Sequence, residues 1–230
     1  MIKEITDRIQ QLNLQIYNHR IKPIKNIDEL KQELDFLQKL YDDNYIRSYI
    51  DNFGRKHIYQ YFMDIAYIVA SRSTCIKRKV GSIIVDNQKH IIATGYNNPS
   101  VGLANCTKET CILDERGKCA AQAVHSEANS VMQCDPLKRQ GSTMFLTDYP
   151  CDKCALLILN SGIKTVIYDK YKKQQFNWLE QDNHVKCYSL IDAIRNDLYQ
   201  KWQDQQMNKQ LKTYKQFLSN TFDELDNLVQ

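Results

Sequence analysis

Three side chains suited to holding a metal ion, and one carboxylate placed to move protons beside it, stand out: His125, Cys151 and Cys154, with Glu127 two residues after the histidine. One imidazole and two thiolates suit zinc, and a catalytic zinc keeps three protein ligands with a fourth position open for water. Zinc lowers the pKa of such a water from about 16 toward about 7, which makes a nucleophile available at neutral pH. Two sulfurs spaced C-x-x-C at a helix N-terminus face the same side, and the positive potential there helps keep them as thiolates. Glu127 is not expected to bind the metal; its expected task is to take and return protons. Taken singly, the two halves are weak. His125-Ser126-Glu127 is a common triplet, and Cys151-Asp152-Lys153-Cys154 reads equally as a redox pair or as half of a structural zinc site. A redox pair normally follows the first strand of its fold, whereas this one comes late and after Pro150. A structural zinc would have no use for Glu127. Together the two halves predict a catalytic zinc.

The elements that must position these residues follow from periodicity. Ile58 to Ser71 predicts an apolar helix, and Val80–Val85 and His90–Tyr96 predict short strands around an Asp86-Asn87-Gln88 turn. Val124 to Gln133 predicts a helix carrying His125 and Glu127. Thr143–Thr147 predicts a strand, followed by a helix with Pro150 in its first turn and Gly162 beyond its end. Thr165–Tyr168 and Val185–Tyr188 predict two more strands, with a short helix around Trp178. Strands alternating with helices indicate an α/β sandwich. On either side the pattern turns purely helical. Ile2, Ile5, Ile9, Leu12 and Ile16, then Leu30, Leu34, Leu37 and Tyr41, step by three and four and predict a helical hairpin broken near Pro23. Ile191, Ile194, Leu198 and Trp202, then Leu211, Tyr214, Leu218, Phe222 and Leu225, form two more stripes across a polar linker at 203–209. The expected division is therefore 1–56 helical, 57–188 carrying the site, and 189–230 helical.

Composition bounds the function. At 230 residues and 43% hydrophobic content the chain can bury one good-sized core. A net charge of +4 and a pI near 8.5 suit an anionic small substrate. They fall short of a nucleic-acid footprint, which calls for a pI above about 9 and a clustered basic patch. No apolar run is long enough for a membrane span, and Met1-Ile2-Lys3-Glu4 opens a charged helix rather than a signal peptide. A cytoplasmic setting is expected, where eight cysteines are more readily metal ligands than disulfides.

A longer set of motifs carries a family resemblance over residues 57 to 188. Arg72-Ser73-Thr74-Cys75, Lys79-Val80-Gly81-Ser82-Ile83-Ile84-Val85, Thr94-Gly95-Tyr96-Asn97, His125-Ser126-Glu127-Ala128-Asn129, Thr147-Asp148-Tyr149-Pro150-Cys151-Asp152-Lys153-Cys154 and Ser161-Gly162-Ile163-Lys164-Thr165-Val166-Ile167-Tyr168 resemble deoxycytidylate (dCMP) deaminases of the bacterial and bacteriophage type. These belong to the zinc-dependent cytidine/deoxycytidylate deaminase superfamily, whose H-x-E and P-C-x-x-C signature the chain carries. The resemblance implies a three-layer α/β/α sandwich with a five-stranded mixed sheet, flanked here by N- and C-terminal helical extensions. It implies hydrolysis of dCMP to dUMP and ammonia, feeding thymidylate synthesis, with Glu127 delivering a proton to ring N3. Asn97 would contact sugar or base, and Asn129, Tyr149 and Tyr168 would lie near the phosphate or the pocket wall. It also implies a homo-oligomer, with dCTP plus Mg2+ as activator and dTTP as inhibitor. The chain departs from the pattern at Ser126, usually alanine, and at Asn98-Pro99, where a glycine is replaced and the proline moved by one, in the 97–102 loop that shapes the effector site in many relatives.

A second group of cysteines, Cys75, Cys106, Cys111 and Cys119, fits a four-cysteine structural zinc bracing a polar loop, and some members of the family carry one near these positions. Cys134 and Cys187 read as core residues. Rival functions are deamination of dCTP, of tRNA adenosine or of single-stranded DNA cytosine, and a non-catalytic scaffold. The nucleic-acid readings need a basic groove with stacking aromatics, and the lysines and arginines here are spread among nearly equal numbers of acids.

Overall fold

The computed structural model describes residues 2–19, 27–111, 123–181 and 184–229. In chain order the elements are α1 (Ile2–His19), α2 (Ile27–Tyr41), α3 (Asp43–Ser48), α4 (Ile58–Ala70), β1 (Gly81–Val85), β2 (Ile91–Tyr96), β3 (Asn98–Pro99), β4 (Ala123–Val124), α5 (Ser126–Gln133), β5 (Thr143–Asp148), α6 (Asp152–Leu159), β6 (Thr165–Lys170), α7 (Trp178–Gln181), β7 (Lys186–Ser189) and α8 (Leu190–Val229). They divide into two compact units, Arg47–Ala193 and the pair Met1–Ile46 with Ile194–Gln230.

In the Arg47–Ala193 unit five strands form a mixed sheet in the order β2-β1-β5-β6-β7. β1 runs antiparallel to both β2 and β5, whereas β5, β6 and β7 are parallel. Every residue of β1 is buried, which marks a central strand covered on both faces. The two-residue period of a strand sorts its side chains between those faces. Ile84, Met144, Leu146 and Val166 join Val131 of α5 and Ala155 and Ile158 of α6 in one apolar cluster. On the opposite face Phe145 packs against Phe62 of α4, ring centroids 5.2 Å apart. Phe62, Met63, Ala66 and Ala70 form the buried stripe of α4. Full burial of a side chain such as Phe62 or Phe145 contributes about 1.5–3 kcal/mol. The result is the expected three-layer α/β/α sandwich.

Two glycines set the helix-to-sheet spacing. A Cβ on Gly81 would lie 2.1 Å from the Ala66 carbonyl oxygen, and one on Gly95 would lie 2.2 Å from that of Ser126 and 2.5 Å from Ser130 N. Only glycine lets β1 approach α4, and β2 approach α5, this closely. Ser82, fully buried, strengthens the second contact by donating to the Ser126 carbonyl at 2.8 Å.

Several boundaries differ from expectation. Val124 belongs to β4, which pairs with β3, so α5 starts at Ser126 and His125 caps it. Pro150 precedes the N-cap Cys151 of α6 rather than lying in the first turn. β3, β4 and α3 are too short to carry a periodic signal. Residues 203–209, expected as a linker, continue α8 without a break; glutamine, lysine and methionine are good helix formers even without an apolar stripe.

In the other unit α1 packs on α2, with Arg8 forking onto both carboxylate oxygens of Glu33 at 2.6 and 2.9 Å. Leu12, Leu37, Leu40 and Ile194 are fully buried. Trp202 of α8 stacks on Phe36 of α2 at 5.7 Å. Arg195, 5% exposed, donates to the Leu40 carbonyl at 2.8 Å and to Asp43 at 2.6 Å. The side chains of Ile2, Ile5 and Ile16, and those of the second α8 stripe from Leu211 to Leu225, lie outside the described residues. Among the described residues no helix is long and apolar enough to cross a membrane.

Candidate metal centre

The site lies beyond the C-terminal end of β5, where Tyr149-Pro150 lead straight into Cys151, the N-cap of α6. The crevice at the strand C-termini is the usual ligand position in open α/β sheets. His125 is the N-cap of α5, directly after β4. Two helix N-termini thus deliver the imidazole and the first sulfur. An N-cap side chain normally bonds the first free backbone N–H groups. Neither His125 nor Cys151 does so, which leaves both side chains available to a metal.

His125 Nδ1 lies 3.4 Å from the sulfur of Cys151 and 3.4 Å from that of Cys154. All three donor atoms lie within 4.8 Å of one another, and this is the one such group of three or more among the described residues. Tetrahedral zinc, with bonds of about 2.0–2.1 Å to nitrogen and 2.3 Å to sulfur, separates such ligands by roughly 3.6 Å. The donor set and its spacing therefore fit zinc. The hydrogen bond from Cys154 pulls the Cys151 thiol well below the usual thiol range, burial opposing and His125 assisting. The same bond and burial push Cys154 up. The bond to Cys151 raises the His125 pKa against the effect of burial.

Glu127 occupies the first turn of α5 and is 4% exposed. Burial is the main cause that pushes its carboxyl pKa up, although Ser126 donates to it at 2.9 Å. A carboxyl whose hold on its proton is strengthened by burial suits an acid–base shuttle. Ser126 is fully buried and supplies that bond.

His125, Ser126, Glu127 and Cys151 line a pocket of about 800 Å³, together with Asn97, Asp148, Tyr149 and Cys75. Asn97 is a hub for the loop before β1. Its Oδ1 accepts from Val80 N at 2.8 Å, its Nδ2 donates to the Arg78 carbonyl at 2.9 Å, and its own carbonyl accepts from Ser73 Oγ at 2.6 Å. Tyr149 gives the pocket a buried wall. Its ring packs on Tyr168 and Tyr171 at 4.9 and 5.2 Å, and its hydroxyl has no hydrogen-bond partner among the described residues. Burial, then Cys187 and Glu180, raise the pKa of that phenol; these two groups belong to β7 and α7, not to the pocket wall. Tyr168 and Asn129 are not among the lining residues. Tyr168 packs edge-on behind Tyr149, and Asn129 donates to the Tyr96 carbonyl at 2.8 Å.

Of the second cysteine group, Cys75 is half-buried, Cys106 buried and Cys111 half-buried, and Cys119 lies outside the described residues. The structure does not bring the three described thiols together as a metal site among the described residues. Cys134 is buried in the apolar cluster and Cys187 packs against it, its thiol pushed up to about 12 by burial.

The sequence reading missed four contributors. Arg78 and Asp148 form an ion pair at the pocket wall, and Lys172 and Lys173 line it from the segment after β6. The basic runs Lys77-Arg78-Lys79 and Lys172-Lys173 are the signals that could have flagged them.

A mixed sheet that aims two helix N-termini at one His/Cys/Cys donor set, with a buried glutamate beside it, defines a zinc-site α/β/α domain. The sequence model described as cytidine and deoxycytidylate deaminase zinc-binding region matches residues 56–170. The chain belongs to that family, within its dCMP deaminase branch. It is 37% identical over 122 residues to the deoxycytidylate deaminase of Mycobacterium phage D29, covering 48% of this chain and 93% of the phage protein. It is 38% identical over 120 residues to ComE operon protein 2 of Bacillus subtilis strain 168, covering 51% of this chain and 62% of that one, under two thirds of its length. Among solved structures it is similar to the dCMP deaminase of cyanophage S-TIM5 in complex with dCMP and dUMP. The identity there is 29%, the coverage 57% of this chain and 96% of that one, and the TM-score 0.48.

Proposed function

We propose that the chain hydrolyses the 4-amino group of dCMP, giving dUMP and ammonia. The observation that carries the proposal is the buried Glu127 on a pocket wall with His125 and Cys151, whose donor set Cys154 completes. When bound there, zinc supplies a water acidified toward neutrality at the pocket wall. Glu127 takes up the proton released and hands it to ring N3, then takes the remaining proton of the added hydroxyl and passes it to the departing amino nitrogen. The water oxygen ends on C4 as the carbonyl of uracil, and the C4–N bond breaks to release ammonia. Among the described residues Asn97 keeps one amide N–H beyond its bond to Arg78, for sugar or base. A volume of about 800 Å³ accommodates a mononucleotide, and the names of the relatives support dCMP over other cytosine nucleotides.

Family resemblance extends the proposal to a homo-oligomer, to effectors dCTP with Mg2+ and dTTP, and to a second zinc on Cys75, Cys106, Cys111 and Cys119. Metal analysis decides the last point: two zinc ions per chain support it and one refutes it. The main test is ammonia release from dCMP, dCTP and deoxycytidine. Preference for dCMP is expected. No release from any of the three sinks the enzymatic reading and leaves the scaffold.

A further inference from the structure

Part of the pocket wall is the segment Lys172-Lys173-Gln174-Gln175, which follows β6 and has no helix or strand of its own. Asp152 holds it in place. Its Oδ2 accepts from the backbone N–H of Gln175 and its Oδ1 from that of Phe176, both at 3.3 Å. Asp152 lies in the first turn of α6, between Cys151 and Cys154 in sequence. The turn that presents the two sulfurs is therefore also the anchor of this segment. Among the described residues each lining carboxylate is engaged: Asp148 by Arg78, Asp152 by the two amides, Glu127 by Ser126. Lys172 and Lys173 are exposed, and neither has a carboxylate partner among the described residues. Two neighbouring cations left without counter-charges at a pocket rim are a receptor for an anion, and phosphate is the anion a mononucleotide brings.

We infer that Asp152 is a positioning residue whose carboxylate holds Lys172 and Lys173 at the pocket rim, where the two ammonium groups receive the phosphate of a nucleotide substrate. The inference rests on the reading of the pocket as a nucleotide deaminase site. It makes the segment after β6 the determinant that separates nucleotide from nucleoside, and it gives the residue between the two cysteines a task other than metal binding.

The test compares the zinc-loaded full chain with Lys172→Ala/Lys173→Ala, Asp152→Ala and Asp152→Asn. Measured are kcat and KM for dCMP and deoxycytidine, the Kd of dCMP by calorimetry, and zinc per chain. Loss of two charge-assisted contacts raises KM and Kd for dCMP about 10- to 100-fold. The kcat stays within about twofold, and deoxycytidine and zinc content are unaffected. Asp152→Ala moves the same parameters in the same direction. Asp152→Asn, which keeps one acceptor, falls between it and the wild type. The inference is overturned if the double lysine variant binds dCMP within about twofold of wild type, or loses dCMP and deoxycytidine equally. It is also overturned if Asp152→Ala loses zinc while the preference for dCMP stays unchanged. Lysine-dependent binding of dCMP without ammonia release leaves this inference standing and removes the deaminase reading; no binding of dCMP to the wild type removes both.

Discussion

Glu127 has a burial that a surface carboxylate would not tolerate without a purpose, 4% exposed with one hydroxyl donor. If it shuttles protons, Glu127→Gln keeps the shape and loses the chemistry. The expected outcome is a kcat lower by about 10²- to 10⁴-fold with zinc retained, read from single-turnover kinetics and metal analysis on one preparation. The loss of zinc instead would make Glu127 a structural residue of the site. Ser126 gives a finer comparison. Ser126→Ala removes the donor to Glu127 without adding bulk, so activity within about tenfold of wild type is expected.

At the scale of elements, the placement of α5 decides where Glu127 sits, and Gly95 decides how close α5 comes to β2. In Gly95→Ala the new methyl group meets backbone atoms of the Ser126–Ser130 turn, which cannot rotate away. A stability loss of at least about 1–3 kcal/mol is expected by urea denaturation, with a fall in kcat because the helix must shift. An unchanged kcat would show that the site tolerates displacement of α5. The β1–β2 hairpin offers a pH test away from the site. Asp86 accepts from the backbone N–H of His90 at 2.8 Å and of Gln88 at 2.9 Å, and the first of these is the main cause that holds its carboxyl below the ordinary value. A lowered native pKa stabilises the fold above the unfolded value of about 3.9, and that contribution is lost as pH falls through the native value. Asp86→Asn should therefore lower stability at pH 7 and lose that difference on acidification below about pH 4. A difference that stays constant down to pH 2 would contradict this assignment.

The whole molecule carries one tryptophan reporter in each compact unit, Trp178 within Arg47–Ala193 and Trp202 within Ile194–Gln230. Trp202 shares its unit with Arg195, whose buried guanidinium bonds Leu40 and Asp43. Arg195→Ala leaves the Leu40 carbonyl without its donor, a cost of about 1–3 kcal/mol. In a Trp178→Phe background, where Trp202 alone reports, the midpoint of urea unfolding should fall accordingly. Any ammonia release from dCMP measured below the transition should stay near wild type, because every described lining residue of the pocket belongs to Arg47–Ala193. A midpoint that does not move would mean the Arg195 bonds contribute nothing net.

The sequence by itself determined the donor set, the carboxylate and the layer order, because each is written locally. His125-Ser126-Glu127 and the Cys151–Cys154 spacing are contiguous, and the strand and helix periods of β1, α4, β5 and α6 follow from side chains a few residues apart. Elements of two residues such as β3 and β4 have no period to read, and a polar stretch such as 203–209 continues a helix only because its residues favour one. The tertiary structure alone decided which distant residues share the pocket. Arg78 meets Asp148 across 70 positions, and Asp152 holds the segment after β6 across 23. Contacts of that kind depend on strand order and helix placement, which bring residues together without leaving any pattern between them in the chain.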